Sequence, residues 1–520
     1  MVALALLGID CSLDGFRFYG FAMAFDRSSG LLLHPTSFPS RFGVGDLGPE
    51  AYQFIDFLVA AKQRIWQILP LTPPGFGNSP YLAYSAEAGN PWLISPDRLC
   101  EAGLLSPEDF VGLPDFPLDY VDFDRVGEFK FPLLRKAFDN FKAHASEENR
   151  QAFDQFCQGK IWLDDFVLFM AIKHVRDGAS WHTWEPELAQ RKPDAMAKIR
   201  EELADDIFYQ KYLQFEFDRQ WHDLKRYANE RNIEIIGDLP FYVAHDSADV
   251  WAHPKNFCLD EKTGEPAMMA GVPPDYFSET GQLWGNPVYN WEYLKKHGFR
   301  WWLQRLQAEL GRVDALRIDH FRGLSAYWAV EQGETTAMNG EWVDAPGEEM
   351  LDALRDRMGE LPIVAEDLGI ITPDVEALRD RFGFPGMKIL HFAFDSGAGN
   401  PYLTHNYGNP NCIVYTGTHD NNTTVGWFEA RAEEDRWRVL TYMGSMSPDN
   451  IHWQLIRLAF SSVANQAIVP FQDTLGLGGN ARMNTPSEAE GNWTWRYRAE
   501  ALSDSVIHQL VSLTELYGRG

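Results

Sequence analysis

Basic residues are scarce in this chain. Lysine and arginine together number 46 against 74 aspartates and glutamates, a formal net charge of -28 over 520 residues. A phosphate backbone is bound by clustered Lys and Arg, so the balance excludes a nucleic-acid partner, and an anionic membrane surface is disfavoured for the same reason. A neutral ligand fits better, and most of the charge serves solubility. Cysteine is also sparse. Cys11, Cys100, Cys157, Cys258 and Cys412 are scattered with no CxxC spacing, which excludes a disulfide framework and a structural zinc and points to a reducing compartment. No apolar run approaches the roughly 18 residues a membrane span requires. P-loop, HExxH and EF-hand patterns are missing, so neither metal nor organic cofactor is implied.

The opening stretch MVALALLGID is apolar but lacks a basic region before it and a small-residue cleavage site after it. It therefore does not read as a secretory signal, and residues 1–22 are not rich enough in Arg and Ser for a transit peptide. The expected location is the cytoplasm, or the plastid stroma if the source is photosynthetic.

GVGDLG at 43–48 matches the GxGxxG pattern. A dinucleotide fingerprint needs a strand immediately before the glycines, whereas SFPSRF precedes them here. A nicotinamide or flavin site is rejected.

Apolar residues make up 45% of the chain and aromatics 14%, ample for a large core. The stretch that organises the rest is VDALRIDHFRG at 313–323. It reads as a short buried strand over 313–318 that ends in a polar tip, the form of an inner strand in a parallel barrel. Catalytic groups in such barrels stand at the C-terminal ends of strands. Arg317 and Asp319 lie two positions apart and so point to the same side. A guanidinium there would pair with the carboxylate and favour its charged, nucleophilic form.

Two more tips repeat the pattern. The run 361–365 ends in Glu366 and Asp367, and the run 412–415 ends in TGTHDNNT with His419 and Asp420. One acid after a strand is commonly a turn former or a helix cap. Three acids at successive tips, flanked by Arg317 and His419, form a carboxylate constellation. The segment IEIIGDLPFYV at 233–243 adds Asp238 at a further strand tip.

DALRIDHFRG, IVAEDLG and YTGTHDNNT resemble the strand-four, strand-five and strand-seven motifs of the 4-alpha-glucanotransferases of the alpha-amylase clan, also called amylomaltases or disproportionating enzymes. The resemblance covers about residues 24–515. It implies an α/β chain folded as a (β/α)8 TIM barrel with large, mostly helical insertions and no separate C-terminal β-domain. On this reading 1–22 is an extension and 23–520 is the catalytic barrel. A mainly helical insertion at 97–228 and an active-site insertion at 250–295 interrupt it.

The remaining segments take their places from that frame. QRIWQILPL at 63–71 reads as the first barrel strand, followed by a long Gly/Pro loop in which Tyr81 and Tyr84 stand out; resemblance to the family's SPY motif makes Tyr81 a sugar platform. Leu133, Ala137, Phe138 and Phe141 share helical spacing, as do Leu213, Phe217, Trp221 and Leu224, and read as core. Residues 270–291 form a second long loop resembling the family's active-site loop, with Asp275, Tyr276, Phe277 and Trp284 facing a glucan. The segment 469–498 resembles the last strand and its loop and offers Asp473, Arg482 and Asn484 as sugar contacts. Ser487 and Glu488 stand where the family usually reads Gly-Thr.

The resemblance implies transfer of a 1,4-alpha-glucan segment to the 4-hydroxyl of glucose or another glucan by a retaining double displacement. Asp319 would be the nucleophile, Glu366 the acid/base and Asp420 the third acid. Tyr81, Asp238, Arg317, His419 and Asn484 would bind substrate. The partners would be malto-oligosaccharides, amylose and glucose. A hydrolase of the same fold and a non-catalytic glucan-binding protein are the alternatives. The 270–291 loop speaks against the first, and the presence of all three acids against the second.

Overall fold

The computed structural model describes residues 26–274 and 278–520. Cys11, the 1–22 extension, Asp275, Tyr276 and Phe277 lie outside the described residues. Among those described, eight parallel strands follow one another around a barrel: β1 (Ser28–Leu32), β2 (Ile65–Gln67), β3 (Glu234–Leu239), β4 (Ala315–Ile318), β5 (Ile363–Ala365), β6 (Gly386–Ile389), β7 (Cys412–Tyr415) and β8 (Gln466–Pro470). Each except β5 pairs with its successor, and β8 returns to β1 with Ser28 opposite Gln466. The remaining seam, between β5 and β6, is joined by the Ala365 N–H donating to the Pro385 carbonyl at 2.9 Å.

Alternation along the strands sorts the side chains. Leu32, Ile65, Ile236, Ala315, Val364, Met387, Ile413 and Ile468 pack together as one buried cluster inside the barrel. Leu31, Trp66, Ile235, Leu316, Ile363, Val414 and Ala467 belong to the larger core beneath the helices. The same period sends Asp238 inward after Ile236, and Arg317 and Asp319 inward after Ala315.

QRIWQILPL supplies the second barrel strand, not the first. The first is SSGLL, whose two serines and glycine give no continuous apolar run to read. Its glycine is required by packing, since a Cβ on Gly30 would lie 2.3 Å from the Ile65 carbonyl oxygen of the neighbouring strand. The expected strand over 361–365 begins two residues later at Ile363, beyond Pro362, which has no N–H to give a ladder.

Between β2 and β3 the chain is helical, with long helices over Phe123–His144 and Ala204–Asn229. The two stripes read from helical spacing are buried on these helices, and Trp221 Nε1 donates to the Arg312 carbonyl at 2.9 Å. The stretch 270–291 is not simply a loop. Met268–Val272 and Gln282–Pro287 pair antiparallel and join Ala326–Glu331 and Gly340–Asp344, which follow β4, in a four-stranded sheet beside the barrel. No strand follows β8 among the described residues, and helix Asp504–Leu516 packs against helix Pro49–Ala60. No helix among them is long and apolar enough to cross a membrane.

Candidate active site

Side chains from the C-terminal tips of β3, β4, β5 and β7, with the loops after β2 and β8, meet over one mouth of the barrel. Arg317 is the hub. Its Nη1 donates to both oxygens of Asp238, at 2.7 and 2.6 Å, and its Nη2 donates to Asp319 Oδ1 at 2.8 Å. The Arg317 and Asp238 side chains are 4% and 0% exposed, while Asp319 is 32% exposed. One guanidinium thus neutralises a fully enclosed acid and orients an open one.

Glu366 faces this pair from β5. Its Oε2 accepts the His320 N–H at 2.7 Å and its Oε1 the Leu368 N–H at 3.0 Å. Burial, then the negative charge of Asp319, push its carboxyl up to about 8, against the pull of Arg317 and the two amides. His320 adopts the left-handed conformation, φ 53°. Burial lowers its imidazole to about 4, so the ring is neutral. That ring stands edge-on to Trp284 with centroids 5.0 Å apart.

On the opposite side, His419 Nε2 lies 3.2 Å from Asp420 Oδ2. Asn484 Nδ2 donates to Asp420 Oδ1 at 2.6 Å, and Arg482 Nη2 to the Asp420 carbonyl at 2.7 Å. The surroundings of Asp420 disfavour its charge through desolvation, but His419 and Asn484 outweigh this and hold the carboxyl below the ordinary range. The His419 ring also loses by burial and gains more from Asp420, so its pKa is raised. Tyr81 closes the circuit. Its hydroxyl donates to Asp238 Oδ2 at 2.7 Å while its ring stacks on His419, centroids 4.9 Å apart and 16° from parallel.

Eight of the predicted residues, Tyr81, Asp238, Arg317, Asp319, Glu366, His419, Asp420 and Asn484, are therefore joined through these contacts. Trp284 is brought to the same place through His320, from the sheet beside the barrel. Asp275, Tyr276 and Phe277 fall outside the described residues. Asp473 does not reach the cleft: it is buried and occupied by Thr416 and Thr424. Tyr84 faces the helices, with Lys173 Nζ 4.9 Å from its ring centre. GVGDLG is filled from within the chain, because Asp46 accepts the Gly48 N–H and the Ser40 hydroxyl at 2.9 Å each.

Two residues escaped the sequence reading. His320 was part of the β4 motif, but its contribution to Glu366 is a backbone N–H that no residue type announces. Trp493 lies 5.7 Å from the Tyr81 ring and 6.0 Å from the His419 ring, on a loop whose path across the barrel mouth has no periodic signal. Among the described residues no cluster of three or more His, Cys, Asp or Glu is arranged to hold a metal.

The arrangement offers two carboxyls in different surroundings, one paired to a guanidinium and one kept protonated by burial and a neighbouring charge, beside a stacked aromatic wall. Residues 33–502 match the profile of glycoside hydrolase family 77, 4-alpha-glucanotransferase. The chain is 59% identical over 495 residues to a 4-alpha-glucanotransferase of Synechocystis, covering 95% of this chain and 98% of that one. It is 47% identical to the 4-alpha-glucanotransferase of Thermus thermophilus, covering 95% and 99%. The amylomaltase of Streptococcus agalactiae, solved in complex with acarbose, superposes with a TM-score of 0.92 at 41% identity, covering 95% of this chain and all of the other.

Proposed function

The chain belongs to the 4-alpha-glucanotransferases of glycoside hydrolase family 77, and from that premise we propose how its residues divide the reaction. The enzyme transfers a segment of a 1,4-alpha-glucan. In our reading the donors are malto-oligosaccharides and amylose, and the acceptor is the 4-hydroxyl of glucose or another glucan.

Glycosidic cleavage passes through an oxocarbenium-like state, so a proton must reach the leaving oxygen while a carboxylate meets the anomeric carbon. Asp319 attacks that carbon and forms a glycosyl ester as the bond to the leaving oxygen breaks. Glu366 gives its proton to that oxygen, and the shortened glucan departs. With Asp319 esterified, its negative charge is gone and Glu366 is left as a carboxylate able to act as a base. It takes the proton of the acceptor 4-hydroxyl, whose oxygen displaces Asp319. Configuration is retained, and proton and leaving group balance across the two halves.

Asp420, His419 and Asn484 grip hydroxyls of the reacting sugar, with Asp238 and Tyr81 beside them. Ionised acceptors bond more strongly, and bonds that tighten in the transition state raise the rate. Arg317 keeps Asp319 aimed. Trp284 forms the acceptor-side wall, which we extend to Asp275, Tyr276 and Phe277 on the sequence alone; such a wall favours a sugar hydroxyl over water. We assign residues 1–22 to an extension and 23–520 to the catalytic unit, interrupted at 97–228 and 250–295. Four free cysteines, Cys100, Cys157, Cys258 and Cys412, suit a reducing compartment, the cytoplasm or a plastid stroma.

The observation that carries this reading is the split between the two acids: Asp319 paired with Arg317, and Glu366 protonated up to about pH 8. The test is the product ladder from maltotriose, run for wild type beside Asp319→Asn. Longer malto-oligosaccharides with free glucose, in wild type only, are expected. Glucose and maltose with no longer product would mean hydrolysis. An active Asp319→Asn would overturn the nucleophile.

A further inference from the structure

Asp473, just beyond β8, is 1% exposed. Three uncharged donors converge on its carboxylate. Thr416 Oγ1 and Thr424 Oγ1 donate to Oδ2 at 2.6 and 2.7 Å, and the Thr424 N–H donates to Oδ1 at 2.7 Å. These two threonines bound one turn of chain. Thr416 immediately follows β7, Thr424 begins helix Thr424–Glu429, and His419 and Asp420 lie between them.

The threonine hydroxyls are committed in one direction. Because Thr424 Oγ1 donates to Asp473, it accepts from His391 Nε2 at 3.1 Å, which assigns the ring proton to Nε2. The His391 ring stacks on Trp427, centroids 4.6 Å apart and 7° from parallel. The turn crosses directly over that ring, for a Cβ on Gly417 would lie 2.8 Å from it. An amide in place of the Asp473 carboxylate would turn its NH2 either to the two donating hydroxyls or to the donating Thr424 N–H.

Within the turn, Asn421 Oδ1 accepts the Thr418 N–H at 2.8 Å and its hydroxyl at 3.0 Å. The turn is thus braced internally, clamped at both ends by Asp473, and held at its apex by Arg482 and Asn484 on Asp420. Its position relative to the barrel is set by residues that follow β8.

We propose that Asp473 is a positioning residue: a buried clamp that, through Thr416 and Thr424, sets where Asp420 and His419 stand toward the reacting sugar. This rests on the reading that Asp420 grips substrate. A misplacement well under the length of a hydrogen bond weakens contacts that matter in the transition state more than in the ground state, so the loss falls on kcat rather than KM.

The test compares Thr416→Val/Thr424→Val, which keeps shape and removes both hydroxyls, with Thr416→Ser/Thr424→Ser, which keeps them. Each is measured as kcat and KM on maltotriose per folded enzyme, together with hydrogen exchange of the peptide spanning 416–424. The valine pair should lose about tenfold or more in kcat with KM little changed, and exchange faster in that peptide; the serine pair should restore both. A valine pair with kcat within about twofold of wild type, a loss of kcat without faster exchange, or a serine pair that fails equally would overturn the clamp. Asp420→Asn separates the two readings. If it stays active, the role of Asp420 fails; if it is inactive while the valine pair works normally, only the clamp fails.

Discussion

The backbone N–H of His320 donates to Glu366 Oε2 at 2.7 Å, so the residue that follows Asp319 holds the carboxyl of Glu366 in place. The proposed nucleophile and acid/base are tied through a single peptide unit, in which His320 takes a left-handed conformation at φ 53°. A non-glycine residue in that region stores strain, and the surrounding rings and hydrogen bonds over-determine it. Both amides on Glu366 favour its ionised form, yet burial and the charge of Asp319 win and leave it protonated up to about 8.

Activity should therefore fall on the alkaline side. A general acid works only while it carries its proton, so kcat/KM for maltotriose should drop through about pH 8, approaching tenfold per unit beyond it. Removing the charge of Asp319 removes the second largest cause of the shift. In Asp319→Asn the carboxyl of Glu366, followed by carbon NMR, should titrate at lower pH than in wild type. An unchanged titration would mean that burial alone sets it.

The same shift costs stability. Folded Glu366 releases its proton at about 8, against the ordinary 4.5. Between those values the folded state holds more protons than the unfolded one, so stability falls as pH rises through the window. Below it the difference vanishes, and above it the cost is complete. Glu366→Gln does not titrate. Wild type should lose melting temperature relative to Glu366→Gln between pH 4.5 and 8, and a constant difference across that range would count against this account.

Much of this site can be read from strand alternation. A step of two residues from Arg317 to Asp319 places both on one side, and the 2.8 Å ion pair is that period made visible. Asp238, Glu366 and Asp420 each follow a short apolar run, which is how a parallel barrel presents its tips. What escapes the sequence depends on chain returning from far away. β1 hides because its two neighbours, not its own side chains, bury it. The strand Met268–Val272 pairs with Ala326–Glu331, across β4, so its pattern could not be matched to a partner nearby. Asp473 reads like its neighbours as a sugar-facing acid. Only the fold shows Thr416 and Thr424 already seated on it.

Among the described residues Arg317 is the sole guanidinium paired with Asp238, whose side chain is 0% exposed. Removing one partner of an enclosed ion pair strands the other charge, at a cost of roughly 3–5 kcal/mol. Arg317→Met should lose about that much in urea unfolding, and Asp238→Asn in the same background should recover part of it. If the double variant is no more stable than Arg317→Met, the loss comes from packing around Met387 and not from the stranded carboxylate.

Tyr81 does two things that substitution can separate. Its hydroxyl serves Asp238 at 2.7 Å, and its ring covers His419 at 4.9 Å. Tyr81→Phe keeps the stack and removes one bond to an ionised acceptor, while Arg317 Nη1 still reaches the same oxygen at 2.6 Å. Such bonds are worth about 1.5–3 kcal/mol, so kcat/KM for maltotriose should fall by roughly ten- to a hundredfold. The loss should appear mainly in kcat, because the hydroxyl acts by fixing Asp238 and not by holding the glucan. Tyr81→Ala also opens the face of His419, and with the platform gone KM should rise as well. If Tyr81→Phe matches wild type while Tyr81→Ala fails, the ring alone matters, and the hydrogen bond to Asp238 belongs to the architecture of the barrel mouth.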